Sequence, residues 1–439
     1  MLTKPKFKIF AIYTVISDLI IYLLLFFFNK EKINYYLCTN IKSYDIFLFS
    51  RNIELIYPES CDLNAYKVGV LNIQNFYNLK EYVYFDRPLF IFYISIFYYL
   101  LKVIFNPLSL GTLTLIKASF FLGQIVLTSI VCVLVCLIFN HINLDYKNIY
   151  FSLPWMISIS PMFKWHIYES TSMTFTFLIF LFGIYFVINL ENINQAFYFF
   201  LAGLLVLVHR SAVLIVVFIF IYTIFEKKIN FKTLTNFIFF IFPILLHYTI
   251  LFLISGFADH QAEGYRQFIW IIDYLNGKDT INGGYFCQTP NLAFNCYLND
   301  LKNLIKYLFI PIIYLIINYI SFFRNAHAIN KNLLKISLYF AILINLFWLF
   351  IGWYPPIRFS YYGLGNLVIF LMIYNFALIE NKTSRNVFIV GYTLYFLFLN
   401  HWNYPEVILR SNFILISAFL FLISIITNNK KILINDLRD

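Results

Sequence analysis

Residues 86–93, Asp86-Arg87-Pro88-Leu89-Phe90-Ile91-Phe92-Tyr93, mark where a long polar segment turns back into apolar chain. Upstream lies an apolar run over residues 8–28 and then a loop over 29–88 that carries Asp45 and Asp62 as well as Asp86. Downstream, the apolar run over 89–106 ends at Asn106-Pro107. Charged groups held just before a chain enters lipid are costly unless they have a task, so this junction sets both the fold and the search for chemistry.

Composition fixes the broad class. Of the 439 residues 61% are hydrophobic and 12% charged, and the mean hydropathy is +0.76. A soluble domain carries about 25% charged residues, so the chain is an integral membrane protein. The abundance of Phe and Tyr is read as plain compositional bias, because Phe, Ile, Asn, Lys and Tyr rise together in AT-rich coding sequence. A net charge of +11 in a soluble protein would raise nucleic acid as a partner. Here the basic residues fall in loops between apolar runs, where they orient helices and meet anionic lipid headgroups, and no nucleic acid is expected.

Further windows long enough to span fall near 110–140, 148–163, 172–190, 234–255, 304–322, 336–354, 361–379, 387–402 and 411–427. Two shorter runs, 195–208 and 211–225, meet at His209-Arg210. The basic clusters Lys4/Lys6/Lys8, Lys227/Lys228/Lys232, Arg324/Lys331/Lys335, Lys382/Arg385 and Lys430/Lys431 read as cytoplasmic. Successive clusters must be separated by an even number of crossings. That holds if 89–106 is a re-entrant or surface helix and 195–225 a hairpin of two half-length helices; a spanning 89–106 with a merged 195–225 is the alternative.

The expectation is an all-α polytopic bundle of about twelve transmembrane helices with both termini cytoplasmic. One transmembrane module covers residues 1–439, and short surface helices sit in the first external loop. The segments 29–88, 160–171, 256–303, 352–362 and 401–410 then face outward. Cys38 with Cys61 and Cys287 with Cys296 share external loops and suit disulfides in an oxidising compartment, whereas Cys132 and Cys136 are packing residues. Asp18 and Lys117, both inside apolar runs, are expected to pair with each other.

The stretch Cys61-Asp62-Leu63-Asn64-Ala65-Tyr66, ahead of Asp86-Arg87-Pro88-Leu89, resembles the first external loop of polytopic membrane glycosyltransferases of the GT-C superfamily, the mannosyltransferase and aminoarabinose-transferase type. In that superfamily an acidic residue, often followed by a Tyr on a surface helix, precedes an Arg/Lys-Pro-Leu motif. The hairpin apex His209-Arg210-Ser211 is similar to its Thr-Arg-Pro apex, with His209 and Ser211 replacing Thr and Pro. Tyr354-Pro355-Pro356-Ile357-Arg358-Phe359 resembles its late external turn, and Ser160-Pro161 with Glu169-Ser170-Thr171 its Ser-Pro turn and following acid. Each motif is two to four residues long.

The resemblance implies a polyprenyl-phosphate-linked sugar as donor, an acceptor glycan, lipid or protein met at the outer, periplasmic face, and a place in the inner membrane. Arg87, Arg210 and Arg358 suit the donor phosphate, since a guanidinium grips phosphate oxygens bidentately and stays charged when partly dehydrated. A carboxylate across the sugar would deprotonate the acceptor hydroxyl, giving displacement with inversion. Asp62 is the first choice for that base, then Asp45, then Asp86. Lys164, His166, Glu169 and Tyr66 complete the candidate substrate set, and the loop 256–303 is a candidate acceptor site.

Each residue has a duller reading. Asp62 could cap a helix, Asp86 could pair with Arg87, and an ordinary juxtamembrane Arg would look like Arg358. Arg210 stands out, because a charge amid apolar residues costs about 2.5–3.5 kcal/mol at a helix centre unless it meets water or a partner. No cofactor is expected; members of the superfamily differ in using a divalent cation, and the lack of a compact Asp-x-Asp pair favours metal-independent action. Two other functions stay open: a glycan polymerase or ligase using diphosphate-linked lipids, and a lipid or solute flippase or transporter.

Overall fold

The computed structural model describes residues 5–28, 41–48, 51–58, 61–74, 87–105, 111–144, 147–166, 174–191, 194–225, 231–255, 302, 304, 305, 308–319, 330–351, 361–398 and 411–436. These are almost all helical. In chain order the first half comprises α1 (Phe7–Phe28), strands β1 (Ile41–Leu48) and β2 (Arg51–Pro58), α2 (Cys61–Leu71), α3 (Pro88–Phe105), α4 (Thr112–His141), α5 (Leu153–Ser158) and α6 (Pro161–His166). Then come α7 (Phe175–Ile188), α8 (Gln195–Val206), α9 (Val213–Phe225) and α10 (Phe231–Ser255). Later helices include Lys331–Ile351, Asn366–Leu378, Lys382–Phe398 and Ser411–Asp436.

Among the described residues three helices are long and apolar enough to cross a bilayer: Pro88–Phe105, Thr114–His141 and Thr235–Leu253. Shorter apolar helices, such as Phe175–Ile188 and Gln195–Val206, accompany them. Exposure follows the same logic. Leu415, Phe419, Leu422 and Ile426 are exposed at alternating four- and three-residue intervals, a helical face of bare hydrocarbon that suits lipid rather than water. The opposite case is α7, which is apolar on every side and accordingly buried at the centre. There Phe180 stacks on Phe340 at 5.8 Å, and Phe218 on the same ring at 4.6 Å.

The first loop departs from the all-α expectation. Among its described residues helix α2 is preceded by an antiparallel β1–β2 hairpin whose register sets Asp45 opposite Glu54. The two strand segments, Ile-Lys-Ser-Tyr-Asp-Ile-Phe-Leu and Arg-Asn-Ile-Glu-Leu-Ile-Tyr-Pro, are rich in Ile and aromatic residues that favour extended chain. Aromatic and β-branched residues abound throughout this sequence, so their local enrichment did not stand out.

Contacts at the start of α1 orient it against α4. The Lys6 backbone N–H donates to Tyr150 Oη at 2.7 Å, and Phe10 stacks on Tyr150 at 4.4 Å. Tyr150 follows α4 closely, so α1 begins where α4 ends and the two run antiparallel. The end of α1 and the start of α4 therefore share one end of the bundle. Helix α3, itself long and apolar enough to cross a bilayer, packs against α2 and α4. It crosses α4 at Gly123, where the Tyr93 hydroxyl donates to the Gly123 carbonyl at 2.6 Å and a Cβ would meet Ile94 Cδ1 at 2.7 Å.

The 195–225 stretch breaks as its polar centre suggests. Asn194 caps α8 by accepting from the Phe197 N–H, and the helix ends at Val206. His209 is extended, with φ −153° and ψ 126°, and a single turn over Arg210–Ala212 leads into α9. Gly203 lets α8 lie against α10 so closely that a Cβ there would stand 2.3 Å from the Phe240 carbonyl oxygen. Pro243, inside α10, lies in the same contact.

Candidate functional site

Three segments distant in sequence meet at the start of α3. Pro88 opens that helix, a position where a missing N–H costs nothing. The next free donor, the Leu89 N–H, reaches the Leu207 carbonyl at 3.2 Å. A helix start and a helix end thus satisfy each other's leftover backbone groups. That bond ties Arg87-Pro88 to the break that carries His209 and Arg210.

The third segment is α2. Tyr66 is fully buried, its ring edge-on to Phe90 at 4.9 Å. Its hydroxyl accepts a hydrogen bond from Arg87 Nη1, and the guanidinium carbon lies 6.0 Å from the ring centroid. Phe90 and Tyr93 in turn meet Phe175 at the start of α7, at 6.0 and 5.5 Å. Apolar packing below thus fixes the polar group above.

His209 is buried beneath the two arginines. Burial, and then the positive charges of Arg87 and Arg210, hold its imidazole well below the usual histidine range, so the ring is neutral. Its Nδ1 takes the Ser211 backbone N–H at 3.3 Å and lies 2.7 Å from Ser211 Oγ. With Nδ1 accepting from the backbone, the ring proton is assigned to Nε2. Two guanidiniums and one N–H donor gathered at helix ends have the chemistry that suits an anion with several oxygens, such as phosphate.

Sequence reading singled out Tyr66, Arg87 and Arg210 separately, and the structure brings them into one group. It adds His209, which sequence reading named only as a replacement in the hairpin apex, with no role of its own. The signal was its position immediately before a charged residue in an apolar run. Asp62 lies in the first turn of α2, one turn ahead of Tyr66 and on the same helical face. The side chains of Asp62, Asp45 and His166 lie outside the described residues, as do Asp86, Glu169 and Arg358 entirely.

Lys164 has a different setting. It is buried in α6, and its ammonium donates to the Phe396 carbonyl and, at 3.2 Å, to the Leu397 carbonyl, in the last turn of Lys382–Phe398. A cation at a helix C-terminus meets carbonyls without N–H partners, which is favourable. Burial nonetheless lowers its pKa to about 7. Among the described residues no three His, Cys, Asp or Glu side chains gather as metal ligands. Cys132 and Cys136 are buried free thiols within α4, while Cys38, Cys287 and Cys296 and the side chain of Cys61 lie outside the described residues.

The expected Asp18–Lys117 pair does not form. Asp18 is buried against Ser158 and Cys132, and neither of its carboxyl oxygens has a hydrogen-bond partner. Sequence separation gave no handle on this, because α1 meets the second half of α4, and Lys117 lies in the first.

Compared with known protein families, with curated proteins and with solved structures, the chain matches none.

Proposed function

We propose that this chain is an inverting membrane glycosyltransferase of the GT-C type, taking its sugar from a polyprenyl-phosphate donor at the outer face of the inner membrane. The single observation behind the reading is the meeting of Tyr66, Arg87, His209 and Arg210, drawn from three segments. In the proposed bundle of about twelve crossings, with both termini in the cytosol, this group would face the outside.

In this mechanism the donor's lipid tail stays in the bilayer and its phosphate rests between Arg87 and Arg210. The His209 Nε2–H adds a neutral donor. As the acceptor oxygen bonds to the anomeric carbon, the carbon–oxygen bond to phosphate breaks and its electron pair passes to the phosphate. The arginines stabilise that growing charge in a site poor in water. Asp62 takes the acceptor's proton. Tyr66 does not react; it positions Arg87. Arg358, His166 and Glu169 remain candidate substrate contacts, and the loop 256–303 a candidate seat for the acceptor glycan, lipid or protein; Lys164, buried on the Phe396 and Leu397 carbonyls, is left with a structural role.

The test uses the purified chain in lipid with a polyprenyl-phosphate hexose and a mixed acceptor pool. Asp62→Asn is expected to lower turnover by roughly 10²–10⁴-fold, the range for losing a general base, with donor binding preserved. Undiminished turnover removes Asp62 from the role and passes it to Asp45 or Asp86. No hydrolysis or transfer by the parent chain with any such donor rejects the transferase reading itself.

A further inference from the structure

Away from the arginine group, α1, α4 and α5 enclose a second polar place, deep among apolar side chains. Asp18 is 1% exposed, and Thr14, one turn earlier on the same face of α1, is fully buried. On α4, which packs against α1, Gln124, Thr128 and Cys132 follow at four-residue steps along one face, and all three are buried. Cys132 lies within electrostatic reach of Asp18, and Ser158 of α5 faces its carboxyl.

The hydroxyls here behave unlike others in the molecule. Ser95, Ser119, Ser129 and Ser160 fold back onto their own helices, donating to the carbonyls of Ile91, Ile116, Ile125 and Ile157 at 2.5–2.8 Å. Thr14 Oγ1, Thr128 Oγ1 and Ser158 Oγ make no such bond. Both Asp18 oxygens and the Gln124 amide are also without partners. A buried polar atom without a partner is destabilising by about 1–3 kcal/mol, so several of them on three helices that pack together ask for a partner.

We propose that Asp18, Thr14, Thr128 and Ser158 form a binding site for a dehydrated monovalent metal cation of the sodium class, with the Gln124 amide oxygen one turn away. The donors are all oxygen, the choice of a hard cation. One carboxylate balances one positive charge, whereas a divalent ion would leave an unpaired charge in lipid-depth surroundings. A proton would neutralise Asp18 but satisfy one neighbour at most. A metal ion accepts all of these oxygens at once, and bound there it would tie α1 to α4 and α5. The site shares no residue with the proposed transferase centre.

The experiment follows thermal unfolding of the full chain in lipid nanodiscs as sodium chloride replaces choline chloride at fixed pH and ionic strength. Equilibrium binding of radioactive sodium is measured alongside. The expected result is a saturable rise in Tm with matching saturable binding, both lost in Asp18→Asn. Thr128→Val and Ser158→Ala are expected to weaken sodium binding by on the order of tenfold or more, a reading that holds if Asp18→Asn fails to fold. Equal Tm in sodium and choline, an unchanged sodium response in Asp18→Asn, or a response to pH alone overturns the proposal; the last identifies Asp18 as a neutral acid. Turnover enters none of these readouts, so the transferase reading stands or falls separately.

Discussion

The molecule handles charge in two opposite ways. Around the start of α3, Arg87 and Arg210 lie at helix ends, partly exposed, with the aromatic hydroxyl of Tyr66 and a neutral imidazole beside them. Around Asp18, a single carboxyl lies in mid-helix, fully enclosed, facing hydroxyls that have kept their oxygens unoccupied. Helix ends supply loose backbone groups and access to water, so cations can gather there at little cost. A helix interior supplies neither, so a charge placed in it needs a partner brought by packing, as for Lys164, or by binding, as proposed for Asp18.

The contrast is broken most severely at the helix ends. Arg87→Ala is expected to lower turnover with a polyprenyl-phosphate hexose by about 10²–10³-fold, the loss typical of one preorganised group on a developing oxyanion, measured as kcat at saturating donor. A fall confined to stability, with kcat intact, would make Arg87 a structural residue like Lys164. Tyr66→Phe keeps the ring against Phe90 and removes only the acceptor for Arg87. Its expected effect is a loss of roughly tenfold in kcat/KM, in line with one hydrogen bond to a charged group.

The smallest effect sharpens the comparison from the buried side. Lys164 releases its proton near 7 in the fold, against 10.5 when unfolded. Between these values the unfolded chain binds more protons, so stability rises with pH, and below the lower one the full penalty of the buried ammonium is present. Thermal unfolding of the parent is therefore expected to shift upward by a few degrees, ~2–4 °C, across that window relative to Lys164→Met. Parallel curves would mean that the Phe396 and Leu397 carbonyls fully offset its burial.

Much of this was legible in the residues alone. The apolar runs announced the helices because hydropathy acts locally, and the break at His209-Arg210 followed from the cost of a charge inside lipid. A short surface helix in the first loop was expected through the resemblance, and the structure has one at Cys61–Leu71. The β1–β2 hairpin was not, since Ile, Phe and Tyr are too common here to mark a strand. The association of Arg87 with Arg210 could be suspected only through resemblance, for it depends on a backbone bond between Leu89 and Leu207. The isolation of Asp18 was invisible: pairing depends on which turns of α1 and α4 oppose one another, and no single segment encodes that.

The Leu89–Leu207 hydrogen bond also has a bearing on how the chain is made. Tyr66 and Arg87 leave the ribosome early and can meet as soon as α3 is in place. The carbonyl that latches α3, and the second guanidinium, follow only after α4 through α8 have been synthesised. Until then Arg87 stands at an unfinished junction, and the arginine group matures as a late event of assembly rather than as a property of the first loop.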